Sequence, residues 1–195
     1  MSDFSVISAV SNEILKLLRD KICPELIQSP ESIKLVSPSE KNADFQLGLY
    51  LYDIQELREY QQTNKIRLGG QQARYPSKPL NLFYMLYING KSQMMSDAEN
   101  EQRIIGRIIQ VLMDNAALQG PESEEEDGGK LMITLLNPSL EDKTKLWAAL
   151  NVPYQLAVYL SAATVHLPSE RLYSFTRVLE TEYSVEYHAA GRETE

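Results

Sequence analysis

Residues 80–88 read LNLFYMLYI, a run that is apolar or aromatic at every position except Asn81. Asn89 and Gly90 follow it at once, and this pair is typical of tight turns between strands. A short apolar run that ends at a turn is typical of a strand covered on both faces. We therefore expect residues 80–88 to form the central strand of a sheet.

A second strand is predicted over residues 45–52, where side chains alternate with a period of two. Leucines share one face, and Tyr50 and Tyr52 share the other. Tyrosine rows such as these, or Tyr84 with Tyr87 in the central strand, could stack on bases or line a ligand pocket. Because tyrosine on a half-buried strand is common packing, we interpret them as core residues.

Three amphipathic helices are predicted from apolar residues at three- and four-residue steps. Capping signals open two of them, Ser96 with Glu99 and Ser139 with Asp142. Trp147 is expected to face the core from the third helix. The helices are expected at residues 4–22, 96–117 and 138–150, and further strands at residues 33–36, 131–136 and 154–165.

This order of elements predicts an α/β or α+β fold in which helices pack against a mixed β-sheet. Residues 1–167 are expected to form one core domain, since a chain of 195 residues is long enough to bury a core without disulfides. Residues 168–195 are expected to form an extended C-terminal arm. Within it, residues 171–187 alternate bulky and charged side chains and offer no further core-sized segment.

The charge balance disfavours some classes of partner. The chain has 27 acidic and 19 basic residues, a net charge of -8, so its field repels phosphate groups. We therefore expect neither nucleic acid nor an anionic membrane as a partner. A single cysteine and the absence of an export signal or a long apolar span predict synthesis and assembly in the cytoplasm and no membrane insertion.

Few residues suggest catalysis. The only histidines, His166 and His188, belong to no motif, and Cys23 is interpreted as a small core residue. Residues 67–74 contain glycines and arginines but no phosphate-loop pattern, and the acidic run 122–127 lacks calcium-loop spacing. We therefore predict a protein that is not an enzyme and that uses no cofactor and no metal.

Two segments are better suited to contacts with other proteins. They are the long polar stretch 55–79, predicted as a loop, and the strand-like arm. The candidate interface residues are Arg58, Tyr60, Gln61, Arg67, Gln71, Arg74, Tyr75, Arg171, Tyr173, Phe175, Arg177, Leu179, Tyr183, Val185 and Tyr187.

Several stretches resemble a known family. They are SDFSVI at 2–7, CPEL at 23–26, SPESI at 29–33, DFQLGLYLYDI at 44–54, REYQ at 58–61, the approach from Tyr75-Pro76 to Tyr84, QRIIGR at 102–107 and SLED at 139–142. In these residues the chain resembles the cap, or tail-terminator, family of extracellular contractile injection systems, which are phage-tail-like particles. The resemblance extends from residue 2 to about residue 187, and its motifs are structural rather than chemical.

The resemblance implies a phage tail-terminator-like fold and a structural role. Such a cap forms a ring, usually a homo-hexamer, on the distal end of the inner tube and sheath, ends their polymerisation and stabilises the extended state. It implies sheath and tube proteins as partners. Our hypothesis is that the arm pairs with a sheath or cap neighbour, while residues 55–79 face the tube end.

Two other functions stay open at this point. One is a small α/β nucleotide-binding domain or enzyme that uses residues 67–74. The other is an assembly adaptor that binds the sheath only transiently.

Overall fold

The computed structural model describes residues 4–40, 44–57, 66–69, 72–90, 98–120 and 130–174. Within these residues the chain forms three α-helices and nine strands. The helices are α1 (Val6–Ile22), α2 (Ala98–Asp114) and α3 (Leu140–Ala149). The strands are β1 (Ile33–Leu35), β2 (Leu47–Glu56), β3 (Ile66–Gly69), β4 (Gln72–Arg74), β5 (Lys78–Ile88), β6 (Ala117–Gln119), β7 (Lys130–Leu136), β8 (Ala157–Leu167) and β9 (Leu172–Ser174).

Six of the described strands form one mixed sheet in the order β1-β2-β5-β8-β7-β6. β1 runs parallel to β2, and the other neighbouring pairs are antiparallel. β5 lies inside this sheet, where its Tyr84 is paired with Leu51 of β2 and Leu160 of β8. The prediction of a central strand at residues 80–88 is therefore confirmed.

Helices α1 and α2 cover one face of the sheet. The alternation in β2 and β5 directs Leu47, Leu49 and Leu82 to this face, where they are fully buried with Ile14 of α1 and Ile108 of α2. Burying an aliphatic side chain of this size is worth about 1.5–3 kcal/mol. The helices are therefore held mainly by the apolar stripe that each presents to the sheet.

Helix α3 covers part of the opposite face. It begins where the Ser139 hydroxyl accepts a hydrogen bond from the Asp142 amide at 3.1 Å. Trp147 is 1% exposed, lies edge-on to Tyr87 with 5.9 Å between ring centroids, and donates its indole N–H to the Tyr159 hydroxyl at 3.0 Å. The expected core roles of Trp147 and of the strand tyrosines are confirmed.

One glycine is required by this aromatic cluster. The ring of Tyr87 lies directly over Gly48, so that a Cβ at this position would be 2.4 Å from Tyr87 Cζ. The ring is held in place because its hydroxyl donates to the Val36 carbonyl at 3.2 Å and its edge contacts Phe45, with 6.0 Å between centroids. Only a residue without a side chain fits beneath it.

Three sequence expectations need correction. The stretch 55–79 is not a continuous loop, because β2 extends to Glu56 and the strands β3 and β4 form an antiparallel pair. The second helix does not reach residue 117, since the Ala116 carbonyl accepts a bond from the Ile133 amide at 2.7 Å and the chain turns into β6. The last long strand begins at Ala157 rather than 154, because Tyr154 packs against Trp147 instead.

The capping signal at residues 96–99 lies mostly outside the described residues, which enter α2 at Ala98. The first helix begins at Val6 after Ser5, whose side chain makes no capping bond. In the described part of the chain, no helix combines the length and the apolar character that a membrane span requires.

Candidate interaction surface

A small second sheet brings together two distant parts of the chain. In the described residues it contains β3, β4 and β9, with β4 in the middle. The antiparallel pairing of β4 with β9 places Arg74 opposite Leu172 and Ala73 opposite Tyr173. Residues 172–174, near the start of the predicted arm, are therefore paired with β4.

Tyr75 and Arg171 continue this pairing beyond the strands. The Tyr75 amide donates to the Arg171 carbonyl at 3.3 Å, and the Arg171 guanidinium lies over the Tyr75 ring, 4.9 Å from its centroid. A cation–π contact at an exposed site is worth about 0.5–1 kcal/mol. It holds the guanidinium beside the ring while leaving its N–H groups able to bind an acceptor.

A groove of about 510 Å³ lies where this small sheet meets the end of the main sheet. Its walls come from the start of β5, the end of β8 and the segments next to them, and we call it the junction groove. Its lining includes the prolines Pro76, Pro79 and Pro168, together with Tyr75 and Leu167. Because proline fixes its own backbone angle, these walls are stiff.

Charged and polar groups lie in or next to the junction groove. Lys78 forms an ion pair with Glu56 at 3.2 Å, and Arg171 adds a second cation. Ser77 Oγ and His166 Nδ1 lie 3.3 Å apart. Among the described residues no carboxylate contacts the second imidazole nitrogen, so the pair lacks the orienting group of a catalytic triad.

The outer side of β9 offers a second kind of contact. β9 is a terminal strand of the small sheet as far as the structure describes it, and Leu172 and Tyr173 are 58% and 42% exposed. A terminal strand with apolar side chains is able to pair with a further strand.

The structure brings four of the candidate interface residues together at this surface, namely Arg74, Tyr75, Arg171 and Tyr173. Arg67 lies in β3, where only the backbone is described. The remaining candidates lie outside the described residues: Arg58, Tyr60, Gln61, Gln71, Phe175, Arg177, Leu179, Tyr183, Val185 and Tyr187.

Sequence reasoning missed several groups that form the junction groove. Glu56 and Lys78 line the groove. They lie near the two ends of the polar stretch 55–79, but they are not among the candidate interface residues. A usable signal was present in the repeated pair Pro76-Ser77 and Pro168-Ser169, which marks the two chain segments that line the groove.

The fold is similar to two solved structures. One is the PVC sheath/tube terminator in the extended state, from an extracellular contractile injection system. It has a TM-score of 0.65 and 17% identity, and the match covers 94% of this chain and 64% of that one. The other is the anti-feeding prophage cap, a tube-terminating cap, with a TM-score of 0.62, 17% identity and coverage of 90% and 60%.

At this level of identity, these likenesses establish the fold. The chain spans slightly less than two thirds of the length of either structure. A comparison with curated proteins finds no match.

The sequence also matches a family model directly. The model of the Pvc16 N-terminal domain matches residues 9–181, which is most of the chain. The predicted resemblance to contractile injection system caps and the predicted fold of a mixed sheet with packed helices are thereby confirmed. The chain belongs to the Pvc16 N-terminal domain family.

Proposed function

We propose that this protein is a structural cap of a contractile injection system. It closes the distal end of the inner tube and sheath, ends their polymerisation and stabilises the extended state. One observation carries the proposal: nearly the whole chain shares its fold with two proteins described as terminators or caps of such particles. Membership of the Pvc16 N-terminal domain family supports it.

The proposed partners are the tube and sheath proteins of the same particle and further copies of this chain. A cap on a tube of rotational symmetry repeats one heterologous contact until the ring closes. We propose six copies, as the family resemblance implies.

In this proposal, two surfaces of the chain contact different partners. The segment 55–79 faces the tube end, and the arm that begins at Arg171 pairs with a strand of a sheath or cap neighbour. The start of the arm already has strand geometry in β9, and its outer side exposes Leu172 and Tyr173. The junction groove lies beside this strand, and Arg171 is positioned there to bind a carboxylate of the incoming segment.

A structural role explains the surface better than the competing nucleotide-binding function. A phosphate loop connects a strand to the N-terminus of a helix, where backbone amides converge on the anion. Here the segment that holds the glycines connects β3 to β4, two paired antiparallel strands. We therefore propose a protein that acts without catalysis.

Particle length is the experiment that tests this function. The chain is co-expressed with its tube and sheath proteins, and the particles are imaged by negative-stain electron microscopy. We expect a ring at one end of particles of uniform length, and tubes of variable length when the chain is omitted. Uniform capped particles formed without the chain would contradict the proposal.

The arm is tested separately by a truncation that removes residues 175–195 and keeps β9 paired with β4. We expect loss of the cap from the particle while the truncated protein stays folded by circular dichroism. Arg171→Glu is the corresponding point variant. Arg103→Glu on the exposed side of α2 is its matched control, since both remove an exposed arginine but only one lies at the junction groove. Equal particle lengths with both variants would refute the role of Arg171.

A further inference from the structure

The first strand of the main sheet has one side paired and one side turned outward. β1 is a terminal strand of this sheet as far as the structure describes it, and it pairs with β2. The Val36 amide donates to the Leu49 carbonyl at 3.0 Å, so the backbone groups of Val36 face β2. Because these groups alternate in direction along a strand, those of Ile33 and Leu35 face away from the sheet. Outward groups of this kind are where a further strand adds.

Both outward groups of Ile33 already have partners within the chain. Its amide donates to the Pro30 carbonyl, which closes a short turn before β1. Its carbonyl accepts from Arg19 of α1, from Nη2 at 2.7 Å and from Nε at 3.2 Å. Of the two outward residues, only Leu35 has no such partner among the residues that the structure describes.

Arg19 uses both acceptor positions of the Ile33 carbonyl. A carbonyl oxygen has two lone pairs, and two guanidinium nitrogens donate to this one. The amide nitrogen of an added strand would need to lie about 2.9 Å from the same oxygen, a place that the guanidinium already fills. The arginine is held there because it extends from α1 next to Leu18 and Ile22, which are fully buried against the sheet. The edge is therefore closed at Ile33 by contact as well as by hydrogen bonding.

Without the arginine, two copies of β1 would fit each other. In an antiparallel pair centred on Leu35, the two Leu35 residues exchange hydrogen bonds, and each Ile33 carbonyl accepts the Ser37 amide of the other copy. Leu35 is 49% exposed, so its side chains in the two copies would also meet. Lys34 would lie opposite Val36 of the other copy, so that no like charges face each other. The occupant that fits the bare edge is therefore a second copy of this chain.

We propose that Arg19 closes the β1 edge and thereby prevents two copies of this chain from joining their main sheets through β1. Such a pair would be twofold, because both copies would use the same strand. A cyclic ring repeats a head-to-tail contact instead, so the twofold pair would compete with assembly of the proposed cap. The inference concerns the isolated chain and holds whether or not the protein caps a tube.

Arg19→Ala in the purified full chain is the first test. Self-association of the variant and of the unaltered chain is measured by sedimentation velocity over a range of concentrations. We expect the variant to associate about tenfold more tightly or more, since each pair regains two hydrogen bonds. Arg19→Met is the second variant, because it keeps an apolar stem beside the strand and removes both donors, and we expect a similar increase. No increase with either variant would overturn the proposal.

Hydrogen exchange at the Leu35 amide separates closure of the edge from a tethering role. If Arg19 only tethered α1 to β1, its removal would loosen β1, and the Leu35 amide would exchange faster at every protein concentration. If its removal opens the edge, this amide gains an acceptor in the second copy. We therefore expect its exchange to slow as the concentration of the Arg19→Ala protein rises. Exchange that is faster, or that does not depend on concentration, would show that Arg19 is a tether and not a block.

Two further changes complete the design, each checked for an unchanged fold by circular dichroism. Arg107→Ala is the matched control, because Arg107 of α2 also donates to a backbone carbonyl near the end of α1, that of Lys21, at 3.3 Å from Nη2. It lies at no strand edge and should leave self-association unchanged. Leu35→Pro added to Arg19→Ala removes the outward amide and keeps the bonds to β2, so it should return the mass to that of the unaltered chain. Equal association of Arg107→Ala and Arg19→Ala, or association that survives Leu35→Pro, would refute pairing through β1.

Discussion

Gly48→Ala is the substitution that most directly tests the packing of the aromatic cluster. The added Cβ would lie 2.4 Å from Tyr87 Cζ and 2.6 Å from its hydroxyl oxygen, far inside van der Waals contact. The ring must move by about 1 Å to relieve the overlap. That movement strains its 3.2 Å hydrogen bond to the Val36 carbonyl and its edge contacts with Phe45 and Trp147.

The expected cost follows from two opposing effects. Forcing an extra methyl group into a well-packed core costs about 1–3 kcal/mol. Replacing glycine in a strand returns about 0.5–1 kcal/mol, because the unfolded chain loses freedom. We therefore expect Gly48→Ala to lower the free energy of unfolding by about 1–2 kcal/mol, measured by urea denaturation, and to lower Tm by roughly 2–8 °C.

Gly106→Ala is the matched control. Gly106 lies within α2, and a Cβ there meets nothing within 4 Å, so this change should stabilise the protein by about 1 kcal/mol. In a Tyr87→Val background the cost of Gly48→Ala should disappear, since the ring that causes the overlap is gone. Stabilisation by Gly48→Ala in the unaltered chain, or an unchanged cost without the ring, would refute the reasoning.

Three further predictions concern ionisation, capping and the junction groove. Burial raises the pKa of Tyr84 to about 12 from an ordinary value near 10, so its contribution to stability is complete below pH 10 and is lost as the pH rises towards 12. That loss is about 3 kcal/mol in the free energy of unfolding. Urea denaturation at several pH values should show that this free energy falls less steeply between pH 10 and 12 in Tyr84→Phe than in the unaltered chain. Equal slopes in the two proteins would contradict the prediction. Ser139→Ala removes the hydroxyl that accepts the Asp142 amide at 3.1 Å and donates to the Asp142 carboxylate at 2.6 Å, and it should cost about 1 kcal/mol in thermal unfolding. Ser139→Thr keeps a hydroxyl that is able to make both bonds and should keep most of the stability. A double-mutant cycle of Arg171→Ala with Tyr75→Leu should give a coupling of about 0.5–1 kcal/mol from their 4.9 Å stacking, and additive losses would show that the stacking is not energetically significant.

The long strands were predictable because their patterns are local. The alternation that buries Leu47 and Leu49 beside Tyr50 repeats over enough residues to be recognised in the sequence. The continuous apolar character of residues 80–88 reflects cover on both faces, and the structure provides that cover from α1 and α2 on one side and α3 on the other.

The small sheet was not predictable in the same way. β4 and β9 have three residues each, too few to establish a period, and they pair across about a hundred residues of sequence. The sequence predicts the second helix to end at about residue 117 and predicts no strand at Leu118 and Gln119, because three residues after an amphipathic helix carry no signal of their own. Tertiary pairing with β7, not local preference, makes β6 a strand.

The candidate interface was therefore predicted only in part. Composition suggested Arg74, Tyr75, Arg171 and Tyr173 as candidate interface residues, and the fold brings them to one surface. It gave no reason to place Tyr75 against Arg171 in particular, since that contact depends on the pairing of two short strands. Their role in binding a partner stays a prediction that the truncation and the Arg171→Glu variant address.

β8 comes late in the sequence, and this determines when the apolar face of α1 is covered during translation. α1 packs against β8, which ends at Leu167, and its buried residues Ile14 and Leu18 depend on that cover. Translation at ~5–20 residues/s would leave the apolar stripe of α1 without its final cover for roughly 7–30 s. During synthesis the nascent helix is thus a natural substrate for chaperones, and polypeptides released before β8 is made would be prone to aggregate.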